Sequence, residues 1–204
     1  MHESTPVPPI LAREFENLTW VDPAQALVNL RWLEQHLPAD IDRRVRRLRT
    51  NQLKELREAR VGAIFAHGLS KTVLKKRVAV AKVEKADFDF VLRWVESNTN
   101  RFYPVQLKEL PPEDLNPNIT LDDVLRGLNK YNGEHNLSVV IHLNRSIRFE
   151  YHPMVTRPNA QINELWYLGC QTSDQSAWFL YGNVFHRWPE KRDFDYPRGK
   201  PNVA

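Results

Sequence analysis

Two prospective β-strands in this chain carry charge where a half-buried strand would carry apolar side chains, and this limits the possible folds more than any other feature. The segments are Ala86-Asp-Phe-Asp-Phe-Val-Leu-Arg-Trp94 and Phe102-Tyr-Pro-Val-Gln-Leu-Lys-Glu109, with Glu96-Ser-Asn-Thr-Asn-Arg101 read as the loop between them. Side chains along a strand alternate faces. Asp87, Asp89 and Val91 therefore share one face and Phe88, Phe90 and Leu92 the other, while Gln106 and Lys108 share a face of the second strand. In an antiparallel hairpin, opposed residues have a constant sum of residue numbers and lie on one side of the sheet. An odd sum unites the acidic face with the Gln/Lys face. A turn centred between 98 and 99 opposes Asp89 to Lys108; one centred between 97 and 98 opposes Asp89 to Gln106 and Asp87 to Lys108. An even sum sets the aspartates beside Leu107 and exchanges the faces.

The chemistry of the odd-sum cluster is specific. A carboxylate and an amide oxygen are hard ligands for Mg²⁺, and a lysine beside them can orient an attacking water or help deprotonate it. The plain alternative is a surface hairpin with Asp–Lys pairs, which contributes little.

The flanking segments give an order of elements. Residues 1 to 12 read as an extended arm, with Phe15, Leu18 and Trp20 as anchors at its end. Asp22-Pro23 starts a helix that runs to residue 37, with Leu27, Leu30, Leu33 and Leu37 at helical spacing. A longer helix is expected from about Asp40 to His67, ended by Gly68 as a left-handed cap. The β-branched run within 76–85 reads as a buried strand leading into the acidic one. After the loop 111–117, Thr120 and Asp123 form a capping box for a helix 121–131. Residues 137–143 follow as a strand parallel to the Gln-x-Lys strand, because a helix crosses between them. Residues 147–151 read as a further strand, and 162–170 with 177–182 as a hairpin extending the sheet. Trp166, Tyr167, Trp178, Phe179 and Tyr181 on that hairpin are core candidates, with base stacking as the alternative. The fold class is α/β, a central mixed sheet flanked by helices. The chain divides into an arm and helix (1–37), a core (38–184) and a proline-rich charged tail (185–204), the last either an arm following nucleic acid or a strap.

Asp89 and, seventeen positions on, Gln106-x-Lys108, set in the order helix, strand, strand, strand, helix, strand, resemble the PD-(D/E)XK nuclease superfamily over residues 45 to 143, about half the chain. The resemblance implies a restriction-endonuclease-like core and Mg²⁺- or Mn²⁺-dependent hydrolysis of phosphodiester bonds in nucleic acid, DNA being the expected substrate. It implies that Asp89, with Asp87 in reserve, ligates the metal, that Gln106 and the backbone carbonyl of Leu107 complete the protein ligands, and that Lys108 positions the water. A helix before the sheet commonly adds an acidic residue, for which Glu58 is chosen over Glu55; a surface pair with Lys54 or Arg57 is the plain reading of either. Gln106 replaces the family's usual acidic residue, which implies weaker metal binding. A catalytically inactive module on the same fold, binding nucleic acid or protein, is the rival expectation. A third is an unrelated α/β domain whose hairpin charges are mere surface.

Charge is informative through its placement. Lys and Arg exceed Asp and Glu by four among 204 residues, which is compatible with a polyanion without requiring one. Arg43, Arg44, Arg46, Arg47 and Arg49 form a dense local cluster, read as phosphate contacts or as a solvated helix. The single Cys170 and the Met-His-Glu-Ser-Thr-Pro start, without a signal-peptide pattern, suggest a cytoplasmic protein, and no run of eighteen apolar residues suggests a membrane span. Oligomeric state is left open, a homodimer being one option. The seven scattered histidines and lone cysteine argue against a zinc site, and G-x-x-x-x-G-K-S/T, G-x-G-x-x-G and G-x-S-x-G do not occur.

Overall fold

The structure is a computed structural model that describes residues 9–42, 45, 48–50, 53–83, 88–131, 137–145 and 162–202. Asp87, Arg43, Arg44, Arg46, Arg47 and the expected strand 147–151 lie outside the described residues.

The described residues form an α/β fold around a mixed sheet of seven strands whose spatial order follows the chain. β1 (Ala79–Lys82), β2 (Phe90–Glu96) and β3 (Thr99–Leu110) are successively antiparallel; β4 (Ser138–Leu143) and β5 (Glu164–Cys170) run parallel to β3; β6 (Ala177–Gly182) and β7 (Glu190–Asp195) return to antiparallel pairing. The parallel β3–β4 pair follows from the helical crossover between them, α4 (Leu121–Arg126) continued by a 3₁₀ turn (Gly127–Tyr131). Thr120 and Asp123 make the expected capping box.

Two apolar clusters sandwich the sheet. On the back face, α3 (Lys54–Leu69) lays Val61, Ile64, Phe65 and Leu69 against Phe90, Leu92, Val105, Val140 and Leu168, with Leu27 of α2 (Pro23–His36) behind it. On the front face, α1 (Pro9–Glu16), α4 and the 3₁₀ turn cover Val91, Val139, Ile141, Leu165 and Tyr167. Each of these buried aliphatic or aromatic side chains contributes about 1.5–3 kcal/mol, so alternation on the strands is strongly enforced.

Several elements depart from the sequence reading. The N-terminal arm carries α1, because Phe15 is driven into the front core against Phe88 and Phe102. The long helix expected from Asp40 begins only at Lys54; Leu48 takes a left-handed backbone (φ 55°), which interrupts any continuous helix before it. Gly68 does not end α3. It lies inside the helix, where an added Cβ would sit 2.7 Å from the Phe194 ring, and the left-handed residue is Lys75 (φ 51°) after a π-turn over Ser70–Leu74. Gly68 serves close packing. The tail holds a strand, β7, with Phe194 buried between exposed Asp193 and Asp195, so the edge of the sheet is charged. Beyond it the chain straps α2: Tyr196 Oη donates to the Leu27 carbonyl (2.9 Å), and the Asn202 N–H to Asn29 Oδ1 (2.8 Å).

Candidate active site

The hairpin register decides which side chains meet. β2 and β3 pair Phe90 with Val105 through Glu96 with Thr99, an odd sum. The connection is shorter than expected: only Ser97 and Asn98 turn, both left-handed (φ 48° and 62°), as in the two-residue turns whose twist suits antiparallel strands. This is the turn centred between 97 and 98. The ladder stops at Phe90 opposite Val105, and the Asp89 N–H bonds to the same Val105 carbonyl at 2.9 Å, one residue out of register; Phe88 joins the front cluster and Phe90 the back, so the expected sharing of one face by Phe88 and Phe90 breaks at Asp89. Gln106 and Lys108 share the front face with Val91, while Leu107 and Glu109 face the back.

Asp89 stands where the β2 ladder ends, and its carboxylate replaces a strand partner. Oδ2 accepts the Leu107 N–H (2.7 Å) and a hydrogen bond from Gln106 Nε2, which also approaches the Leu107 carbonyl at 3.2 Å. Gln106 is only 6% exposed. An amide is far cheaper to bury there than a second carboxylate beside Asp89 would be. Lys108 is half-buried, with Nζ 5.2 Å from the Tyr131 ring centroid and Lys130 4.9 Å from the same ring. Among the described residues it makes no direct ion pair with Asp89.

The donor set suits a hard cation that keeps most of its water: one carboxylate, one amide oxygen and the Leu107 carbonyl. Gln106 presents Nε2 to Asp89, and rotation about its last torsion exchanges Nε2 for Oε1. Among the described residues no three His, Cys, Asp or Glu side chains gather as a ready-made metal site.

The other candidate residues are placed elsewhere. Glu58 belongs to α3, which packs on the back face, opposite to Gln106 and Lys108, and pairs with Lys54 at 3.6 Å one helical turn away. Glu55 pairs with Lys82. Arg49, the one described member of the arginine cluster, has its charge engaged by Glu109.

That Glu109 is the centre of a polar group the sequence reading missed. Its Oε1 accepts from Arg49 Nη2 (3.1 Å) and Asn144 Nδ2 (2.6 Å), its Oε2 lies 3.9 Å from Arg57 Nε, and Arg57 Nη1 donates to the Leu48 carbonyl. Burial pushes the Glu109 carboxyl up, but the Asn144 hydrogen bond and the Arg49 charge bring it below its ordinary value. His142, its register partner on β4, is 7% exposed. Burial lowers the imidazole pKa to about 4; Glu109 opposes this, and Arg49, Arg60 and Arg57 add to it, so the ring is neutral at pH 7. Glu109 follows Lys108 directly, so strand alternation announces its face; its pairing with His142 does not follow from sequence, because a long crossover separates the two strands.

The aromatic hairpin is core: Trp166, Tyr167 and Trp178 are buried, and Phe179 and Tyr181 pack against the front cluster. Among the described residues no helix is long and apolar enough to cross a membrane. No protein-family model, characterised protein or solved structure matches this chain.

Proposed function

We propose that this chain is a Mg²⁺-dependent nuclease acting on DNA in the cytoplasm, built on a restriction-endonuclease-like core. One observation carries the reading: the odd hairpin register that sets Asp89 against Gln106 and the Leu107 backbone, with Lys108 on the same front face. The order α3-β1-β2-β3-α4-β4, antiparallel through β3 and parallel from β3 to β4, supports it. Asp89, Gln106 through Oε1 and the Leu107 carbonyl would hold the ion. When bound, Mg²⁺ supplies Lewis-acid polarisation of a phosphoryl oxygen. Lys108 orients the attacking water and offsets charge developing on the phosphate. Tyr131 steers the lysine stem, and the front-face apolar cluster beneath limits competing solvent.

A second reading is favoured by one contact. Gln106 Nε2 bonds to Asp89 and to the Leu107 carbonyl, so the three prospective ligands satisfy one another. On that reading the domain binds nucleic acid without cleaving it. Titration of Mn²⁺ by calorimetry, with cleavage assays on plasmid, single-stranded and branched DNA, separates the two. Asp89→Ala is expected to lose both metal binding and cleavage, and Lys108→Ala to keep the metal while losing cleavage by about 100-fold or more. A wild type that binds no Mn²⁺ and holds DNA equally well with and without metal belongs to the second reading.

A further inference from the structure

We infer that a cationic surface at the opposite end of β1 and β2 from Asp89 is a docking site for the phosphate backbone of the nucleic acid. The inference rests on the nucleic-acid part of the proposed function and not on its chemistry. Two segments remote in sequence meet there. The π-turn and its exit bring Lys71, Lys75, Lys76 and Arg77, and the strap after β7 brings Arg198 and Lys200. Arg77 and Arg198 line one open cleft of about 340 Å³, together with Asp22, Gln25 and Gly199.

The charge there is unbalanced. Lys76 is engaged by Glu96 at 2.6 Å, but the Arg77 side chain is 93% exposed, and its ion pair among the described residues is a long one to Asp22, at 3.8 Å. Lys71, Lys75, Arg198 and Lys200 are exposed, and among the described residues the opposing acids are Asp22, Glu96 and Asp195. Six cations thus face three carboxylates, a local excess close to the +4 net charge of the entire chain. The end of α2 is not itself the site, since Asp22 already caps it through the Gln25 N–H.

Ala79 pairs with Arg93, four residues up β2 from Asp89, so the patch begins roughly 13 Å along the strands from the carboxylate. It lies on the α2 side of the sheet, whereas Gln106 and Lys108 face the other, so a backbone held at the patch reaches the hairpin site only around the β1 edge. Contacts of this kind neutralise phosphates, carry no base specificity and release counterions.

The test compares two double variants of equal net charge, Arg77→Glu/Arg198→Glu in the patch and Arg187→Glu/Lys191→Glu on the β6–β7 connection and the start of β7. Binding to a 30-base-pair duplex is measured by fluorescence anisotropy in EDTA from low to moderate salt. All four residues are exposed, so folding is preserved, and the absence of divalent metal separates this result from the catalytic reading. The patch variant should bind about tenfold or more weakly at low salt, and its log–log salt slope should be shallower by about two. The control variant should stay near the wild type. Equal loss in both variants means that net charge alone acts, and overturns the proposal. It is equally overturned if the patch variant matches wild type, or if the wild type binds anionic phospholipid vesicles and no duplex.

Discussion

Lys108 and Glu109 are neighbours in the chain and belong to opposite chemistries. Lys108 points to the front face, where the buried Gln106 amide meets Asp89 and the lysine lies beside the Tyr131 ring, with no counter-ion among the described residues. Glu109 points to the back face, where Arg49, Arg57 and Asn144 all converge on one carboxylate. The back face is electrostatically closed, each partner satisfied by another. The front face keeps a cation beside groups that could accept a ligand. Perturbing the first should therefore cost stability, and perturbing the second should cost function.

The largest expected effect tests this directly. Glu109→Ala leaves Arg49 and Arg57 mostly buried without their carboxylate and should destabilise by about 2–3 kcal/mol, whereas Lys108→Ala should cost under about 1 kcal/mol. Urea unfolding of the two variants decides it, and equal losses would erase the distinction between the faces.

Acid should act on the back face next. The folded His142 pKa is depressed to about 4 from 6.5, so between those values the unfolded chain binds a proton that the folded chain refuses. Stability is complete above about pH 6.5 and falls as pH drops toward 4, by roughly 2 kcal/mol between pH 6.5 and 4.5. His67, lowered chiefly by burial and then by Lys71, acts in the same direction. Glu109, held below its ordinary value, gives up its contribution only below about pH 4.5. In His142→Leu the pH dependence of the urea midpoint between pH 7 and 5 should shrink by more than half; an unaltered slope would remove His142 from this account.

A smaller effect, with a sign that depends on metal, is expected at Gln106→Glu. Two carboxylates facing each other in a mostly buried position repel, so without divalent cation the variant should be less stable by about 1 kcal/mol. Added Mn²⁺ should reverse this, and metal should bind several-fold more tightly than to wild type. The new carboxylate would also attract the Lys108 ammonium away from the water it is proposed to orient, so faster cleavage is not expected. Thermal melts with and without Mn²⁺ read both terms, and a variant indifferent to Mn²⁺ means that no cation is held at this hairpin.

The smallest effect lies in the turn that sets the register. Asn98 is left-handed, a conformation asparagine tolerates better than alanine, so Asn98→Ala should cost about 0.5–1 kcal/mol. A neutral result in thermal unfolding would mean that strand packing, and not the turn, enforces the pairing.

The sequence alone determined the local features. Asp22-Pro23 started α2, Thr120 and Asp123 capped α4, and the alternation of Asp89, Val91 and Gln106, Lys108 limited the hairpin to an odd register, because these signals act over a few residues through hydrogen bonds and side-chain period. It left two odd registers open, and it misjudged three places where distant contacts override local preference. Phe15 made a helix of the arm by finding Phe88, Gly68 stayed within α3 because Phe194 presses on it from the far end of the chain, and Phe194 turned part of a charged tail into an edge strand. Tertiary structure also decided which face of the sheet each helix covers. That choice put Glu58 opposite the site for which it was nominated, joined Glu109 to Arg49, Arg57 and His142, and brought Arg77 beside Arg198. Nothing within a few residues of any of these positions records such pairings, since each depends on burying apolar surface contributed by several remote segments at once.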